Sequence, residues 1–217
     1  SYDITKFLNK DGSENSITVQ VTNKQPSSRW YSGSGIYRDV TLSYRDKVHV
    51  AENGNHITTP KLAEQKEGNV ETQVQSKIKN TDKKAAKVFV EQQIFTKEGK
   101  PVSELTRSAT KVLSENETVD FNQTILVNKP TLWTTKSYHP QLYVLKTKVY
   151  KEGKLVDVTE DTFGYRYFNW TAKEGFSLNG ERMKFHGVSI HHDNGALGAE
   201  ENYKATYRKL KLLKDMG

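Results

Sequence analysis

The chain has 217 residues and a mass of 24.8 kDa, enough for one large domain or two small ones. Only 34% of residues are hydrophobic, mean hydropathy is -0.78, and no apolar run approaches the ~20 residues of a membrane-crossing helix. With no Cys, disulfide frameworks, thiolate metal sites and thiol catalysis are excluded. A net charge of +7 invites a nucleic-acid reading, yet only seven of the 33 cationic residues are Arg, and the 26 Lys are dispersed. Phosphate and base recognition favours the planar guanidinium fork, so a solvated Lys-rich surface without a nucleic-acid partner is expected.

The first predicted strands are short. Ile17, Val19 and Val21 alternate, and alternation returns over Ile36 to Tyr44 through Ile36, Arg38, Val40 and Leu42. Period-2 patterning of this kind predicts half-buried antiparallel strands. Between them Arg29-Trp30-Tyr31-Ser32-Gly33-Ser34-Gly35 reads as a small-residue turn carrying a large aromatic.

From Val48 to Gly164 the chain is a run of short β patterns. Candidate strands are His56–Leu62, Val70–Lys79, Lys87–Phe95, Lys111–Leu113, Val119–Val127, Leu142–Tyr150 and Lys154–Phe163. Inward positions include Val88, Val90 and Ile94, then Val119, Phe121 and Ile125, then Tyr143, Leu145 and Val149. Lys-Glu-Gly-Lys occurs at Lys97–Lys100 and Lys151–Lys154, with Gly where a tight hairpin needs a left-handed residue. An immunoglobulin-like β-sandwich is the economical architecture.

After Gly164 the character changes. Phe176 to Phe185 reads as a hairpin turning at Asn179-Gly180. An apolar strand end then runs into the polar loop His191-His192-Asp193-Asn194-Gly195. Glu200 to Met216 reads as an amphipathic helix, with Tyr203, Tyr207, Leu210, Leu213 and Met216 on one face and Gly217 as its C′ residue. One βα unit cannot bury its apolar faces alone, and two or three N-terminal strands do not close a sheet domain. The opening on Ser1 and these unfinished ends are what a segment of a longer chain would show.

Three separated motifs carry a resemblance. Arg29-Trp30-Tyr31-Ser32-Gly33-Ser34-Gly35-Ile36-Tyr37-Arg38 resembles the segment closing the sugar-binding jelly roll of glycoside hydrolase family 2. Pro130-Thr131-Leu132-Trp133 with Pro140-Gln141-Leu142-Tyr143 is similar to paired motifs of that family's immunoglobulin-like domain. Phe163-Gly164-Tyr165-Arg166, Phe176 to Gly180 and Phe185-His186-Gly187-Val188 with His191-His192-Asp193 resemble the entry into its catalytic barrel. The resemblance implies a mainly β fold: a sandwich at 48–164, flanked by jelly-roll strands at 1–47 and by the first βα unit of a truncated (β/α)8 barrel at 165–217. The Ser189–Gly198 form is most similar to bacterial β-galactosidases, and the Lys-rich, Cys-free chain resembles cell-surface members from streptococci, which implies an extracellular location.

The implied chemistry is retaining hydrolysis of terminal β-galactosides by two carboxylates roughly 5–5.5 Å apart, with no cofactor. Both family Glu residues lie on later barrel strands, so this segment has no catalytic residue of its own and is expected to be inactive. By the same resemblance His191 and Asp193 contact sugar hydroxyls, and Arg38 sits at an interdomain or sugar-proximal place. Implied partners are the galactoside and the remaining domains of the same chain. Two other readings of the residues stay open. A His191/His192/Asp193 metal site meets the difficulty that neighbouring strand residues face opposite ways. A non-catalytic carbohydrate-binding or scaffold sandwich would need an exposed aromatic patch, whereas Trp133, Tyr143 and Trp170 are expected to be mainly buried.

Overall fold

The computed structural model describes residues 2–24, 35–137, 140–190, 194–198, 200 and 202–217. It divides into two compact units, Ser43–His186 and a second made of Ser1–Leu42 with Gly187–Gly217.

The larger unit is a β-sandwich. Its elements are β1 (Val48–Thr58), α1 (Leu62–Gln65), β2 (Asn69–Asn80), β3 (Ala86–Thr96), β4 (Thr106–Arg107), β5 (Lys111–Leu113), β6 (Thr118–Asn128), β7 (Tyr143–Lys151) and β8 (Lys154–Phe163). One sheet has the order β1-β2-β6; the other runs β4-β3-β7-β8, with β5 also on β3. Every pairing is antiparallel. A small sheet follows, built from β9 (Phe168–Thr171), β10 (Gly175–Leu178) and β11 (Glu181–Arg182) in the order β11-β10-β9.

Alternation explains most of this. Val88, Val90, Ile94, Phe121, Ile125, Tyr143, Leu145 and Val149 are all buried, as their spacing requires, whereas Val119, near the start of β6, is only partly buried against the core. The β7–β8 hairpin turns at Glu152 and Gly153, both at positive φ (48° and 79°), which joins the strands at Lys151 and Lys154. The pattern predicts the first strand at His56–Leu62, but it runs from Val48 to Thr58, and Leu62 instead opens the short helix α1 with its side chain buried. Between Val50 and Asn55 the register shifts, with Asn53 at φ 51°, and this bulge hides the period of β1 from a sequence reading.

The core has two apolar clusters. One contains Val48, Val50, Ile78, Val88, Val90, Leu113, Phe121 and Val149; the other contains Leu62, Val70, Val74, Ile94, Ile125, Tyr143, Leu145 and Tyr165. Buried polar side chains are joined in a hydrogen-bonded chain through the same sandwich. Gln123 Nε2 donates to Gln92 Oε1 (2.7 Å), and Gln92 Nε2 donates to Ser76 Oγ (2.8 Å) and Thr147 Oγ1 (3.0 Å). Ser76 Oγ then donates to Asn55 Oδ1, whose amide reaches Thr159 Oγ1 (3.0 Å) and Asp161 Oδ2 (2.6 Å) on β8. The chain thereby touches all six long strands. The bulge in β1 is what turns Asn55 onto this path.

One ion cluster gives the sandwich a pH signature. Asp82, in the β2–β3 turn, meets Lys47 Nζ at 3.2 Å and Lys151 Nζ at 3.0 Å. These ammonium groups, Lys151 first, lower its pKa from the ordinary 3.8 to about 2. A depressed folded-state pKa stabilises above the unfolded value and loses that contribution as pH falls toward the folded one. Acid melts are therefore expected to show Asp82→Asn converging with the parent between pH 4 and about 2, and less stable than it at neutral pH. Equal acid profiles would dismiss the cluster.

The smaller unit departs from the sequence expectation. Neither Ile17–Val21 nor Ile36–Tyr44 forms a strand, and Ile17 and Val40 are 69% and 81% exposed. Alternation chooses which face a strand would bury, but a strand exists only with a hydrogen-bonded neighbour, and none of the described residues pairs with these segments. The predicted helix is present as α2 (Tyr203–Asp215), starting three residues later than expected. Asn202 caps it by accepting from the Ala205 amide at 3.2 Å, and Gly217 takes the left-handed C′ conformation (φ 88°). No helix among the described residues is long and apolar enough to cross a membrane.

Candidate functional site

Three of the motifs singled out in the sequence meet at one end of the sandwich. The loop after β6 brings Thr131 N–H to the Tyr143 hydroxyl (2.9 Å) and Trp133 N–H to the Tyr165 carbonyl (2.8 Å). Trp133 lies so close to the outgoing chain that a Cβ on residue 164 would stand 2.9 Å from Trp133 Cβ. Gly164 is therefore needed for the approach, whatever its torsions. The Arg166 guanidinium covers the indole, 4.8 Å from its centroid.

Tyr165 closes this end of the core. It is fully buried, its ring meets Tyr143 edge-on (centroids 5.0 Å apart) and Phe163 (5.2 Å), and its hydroxyl pairs with Thr72 Oγ1 at 2.7 Å. Burial pushes the phenol well above its ordinary pKa, so it stays protonated and serves packing.

Beyond Tyr165 the small sheet presents an aromatic face. Cross-strand pairing sets Trp170 opposite Phe176 and Phe168 opposite Leu178, so these side chains share one face. Phe185 joins them, its ring 4.6 Å from Phe176 and 6.1 Å from Trp170. Phe168, Trp170 and Phe185 are 69%, 66% and 64% exposed. This corrects the expectation for Trp170. A strand-end aromatic on a two-faced sheet is buried only if something covers that face. Tyr143 is buried as expected, and Trp133 is half-buried.

The predicted sugar contacts His191 and Asp193, with His192, lie outside the described residues, as does the loop 25–34. Arg38 is exposed, its guanidinium 5.2 Å from the Tyr37 ring. Just after the His-rich loop, Asn194 closes a tight turn: its N–H donates to Gly198 O (2.9 Å) and its Nδ2 to Glu200 O (2.6 Å). Among the described residues no three His, Cys, Asp or Glu gather as metal ligands would. A recess of about 380 Å³ sits between β6 and the β4–β5 edge, over Phe121. The cations at its rim are engaged: Arg107 stacks on Phe89 at 3.6 Å and Lys111 donates to Asp120 O at 2.6 Å.

The family model described as glycosyl hydrolases family 2 matches residues 48–166, the sandwich together with its Trp133–Tyr165 closure. The chain belongs to glycosyl hydrolase family 2. Its similarity to β-galactosidase BoGH2A of Bacteroides ovatus is 38% identity over 218 residues, covering all of this chain and 25% of that protein. A β-glucuronidase of Bacteroides fragilis is 26% identical over 225 residues, across all of this chain and 31% of that one. Among solved structures, a family 2 member from Bacteroides cellulosilyticus superposes with a TM-score of 0.78 at 35% identity, covering 87% of this chain and 25% of that chain. The family 2 chain described here thus spans between a quarter and a third of the length of these curated relatives.

Sequence reasoning missed one residue of this site. It read Asn179 only as the first residue of an Asn-Gly turn, although its side chain bridges Trp133 and Tyr167. The signal was available only as Asn where Asp or Gly would also turn.

Proposed function

We propose that this chain is a non-catalytic segment of a retaining β-galactosidase. In that reading residues 1–47 end a sugar-binding jelly roll, 48–164 form the immunoglobulin-like domain and 165–217 begin the catalytic barrel. Both catalytic Glu residues then lie on barrel strands beyond Gly217. The observation that carries the galactoside reading is the 38% identity, from one end of this chain to the other, with a protein named a β-galactosidase. The form of Ser189–Gly198 supports it. Retention requires the nucleophile to reach the anomeric carbon itself, hence the short carboxylate separation. His191 in this scheme donates from a neutral imidazole to a sugar hydroxyl, and Asp193 accepts from one. Such hydrogen bonds tighten as the ring distorts toward an oxocarbenium-like transition state.

The test uses the full-length enzyme with an aryl β-galactoside and the matching β-glucuronide. Preference for the glucuronide would overturn the substrate reading. On the preferred substrate, His191→Ala is expected to lower kcat/KM about tenfold to a hundredfold, the value of a lost hydrogen bond of roughly 1.5–3 kcal/mol. Its melting temperature should barely move, because a loop-end His contributes little to the core. His192→Ala is the internal control, and a slower His192→Ala enzyme would reject the assignment of His191.

The exposed aromatic face of the small sheet favours a second reading, a carbohydrate-binding or scaffold module. Rings held on one sheet face can stack on a sugar. Saturable quenching of tryptophan emission by galactosides would support it over the first reading.

A further inference from the structure

We propose that Asn179 is a positioning residue: its side-chain amide clips the small β9–β11 sheet to the sandwich and thereby sets the direction of the aromatic face. The proposal is independent of the galactoside reading. An Asn side chain is a spare peptide group, with one carbonyl and one amide. Here both are used. Asn179 Nδ2 donates to Trp133 O at 2.8 Å, and Asn179 Oδ1 accepts from Tyr167 N–H at 3.2 Å. Asn179 N–H also donates to Tyr167 O at 2.8 Å, while Trp133 N–H donates to Tyr165 O at 2.8 Å.

These bonds close a ring. It runs from Trp133 to Tyr165, along the chain to Tyr167, across to Asn179 and back to Trp133. The Asn179 side chain takes the place of a missing backbone segment between the post-β6 loop and the outgoing chain. Gly180 completes the fit, since a Cβ there would lie 3.1 Å from the Tyr167 hydroxyl. The phenol oxygen also accepts from Lys66 Nζ at 3.4 Å.

A small sheet needs such a clip. Strands of four, four and two residues with an exposed apolar face are marginal alone. Lys136 and Glu181 also link the sheet to the loop, but both are well exposed, and ion pairs of that kind contribute little. The turn itself does not demand Asn. Asn179 and Gly180 both take positive φ (53° and 85°), and Gly or Asp at 179 would serve the backbone as well.

That separation of roles makes the test. Amide hydrogen exchange on the whole 217-residue chain would compare the parent, Asn179→Gly and Asn179→Asp. Gly keeps the turn and loses both clip bonds; Asp keeps the acceptor for Tyr167 but sets a carboxylate oxygen against the Trp133 carbonyl. Both variants are expected to raise exchange at residues 168–178 about tenfold or more, with β3 and β7 amides unchanged. Lys136→Ala should leave both regions as they are. Parental protection at 168–178 in either Asn179 variant would overturn the proposal, because the donor to Trp133 would then be dispensable. An equal rise in β3 and β7 would also overturn it, showing a residue that supports the whole fold and not the aim of one sheet.

Discussion

The 217-residue chain is expected to leave an aryl β-galactoside hydrolysing at its uncatalysed rate. Retaining hydrolysis needs a nucleophile and a general acid/base acting on the same bond, and their contributions are not separable. Removing either member of such a unit forfeits most of an acceleration of order 10^6 or more. In the proposed assignment both carboxylates belong to barrel strands outside this chain, so no partial activity should survive. Turnover that persists through purification, and is abolished by substituting a Glu within the chain, would refute it. The same preparation, titrated with galactosides, should show no saturable change in tryptophan emission. A saturable change would move the reading toward the binding module, with Trp170 a reporter well placed by its exposure.

Gln92→Leu is expected to destabilise the sandwich by about 2–4 kcal/mol, although Leu fits a buried site and has similar bulk. Gln92 is fully buried and joins three strands through its amide. Once it is gone, Gln123 Nε2 loses its acceptor, and Gln123 Oε1 already has no protein partner. A whole buried amide is then left unpaired, at a cost of roughly 1–3 kcal/mol per group. Ser76 and Thr147 lose a donor as well. The double variant Gln92→Leu/Gln123→Leu should recover part of the loss, since removing both partners of a buried hydrogen bond is far cheaper than removing one. Thermal melts would show a fall of roughly 2–4 °C per kcal/mol for a unit of this size. A single variant as stable as the parent, or a double variant with purely additive losses, would show that the polar chain is not coupled.

The sandwich was legible because its long strands bury one face and wet the other. Val88, Val90 and Ile94, or Tyr143, Leu145 and Val149, announce their side of the sheet by spacing alone. The two Lys-Glu-Gly-Lys turns and the existence of the terminal helix were legible for similar local reasons, whereas the meeting of the Trp133 and Tyr165 motifs came only with the structure. The bulge after Val50 was not, because one shifted register erases the period that pattern reading depends on. Nor was β4, whose two residues are too few to carry any period.

By itself the sequence determined the family, through the resemblance of its separated motifs, and the sandwich class and the inward residues of most long strands, since the latter follow from torsions and side-chain alternation within single segments. Tertiary structure decided which patterned segments became strands at all. Ile17–Val21 and Val119–Val127 both alternate, yet only the latter found a neighbour in β2 to complete its ladder. It also decided where the polar residues went. Gln92, Gln123, Asn55 and Ser76 read as ordinary strand polars, and only the meeting of two sheets turned them into one buried hydrogen-bonded chain. Asn179 and Trp170 complete the contrast, because a clip needs Trp133 from 46 residues earlier in the chain, and the exposure of an indole depends on what covers its face. Local torsional preference acts within a few residues, whereas burial and long-range pairing are fixed only when distant segments come together.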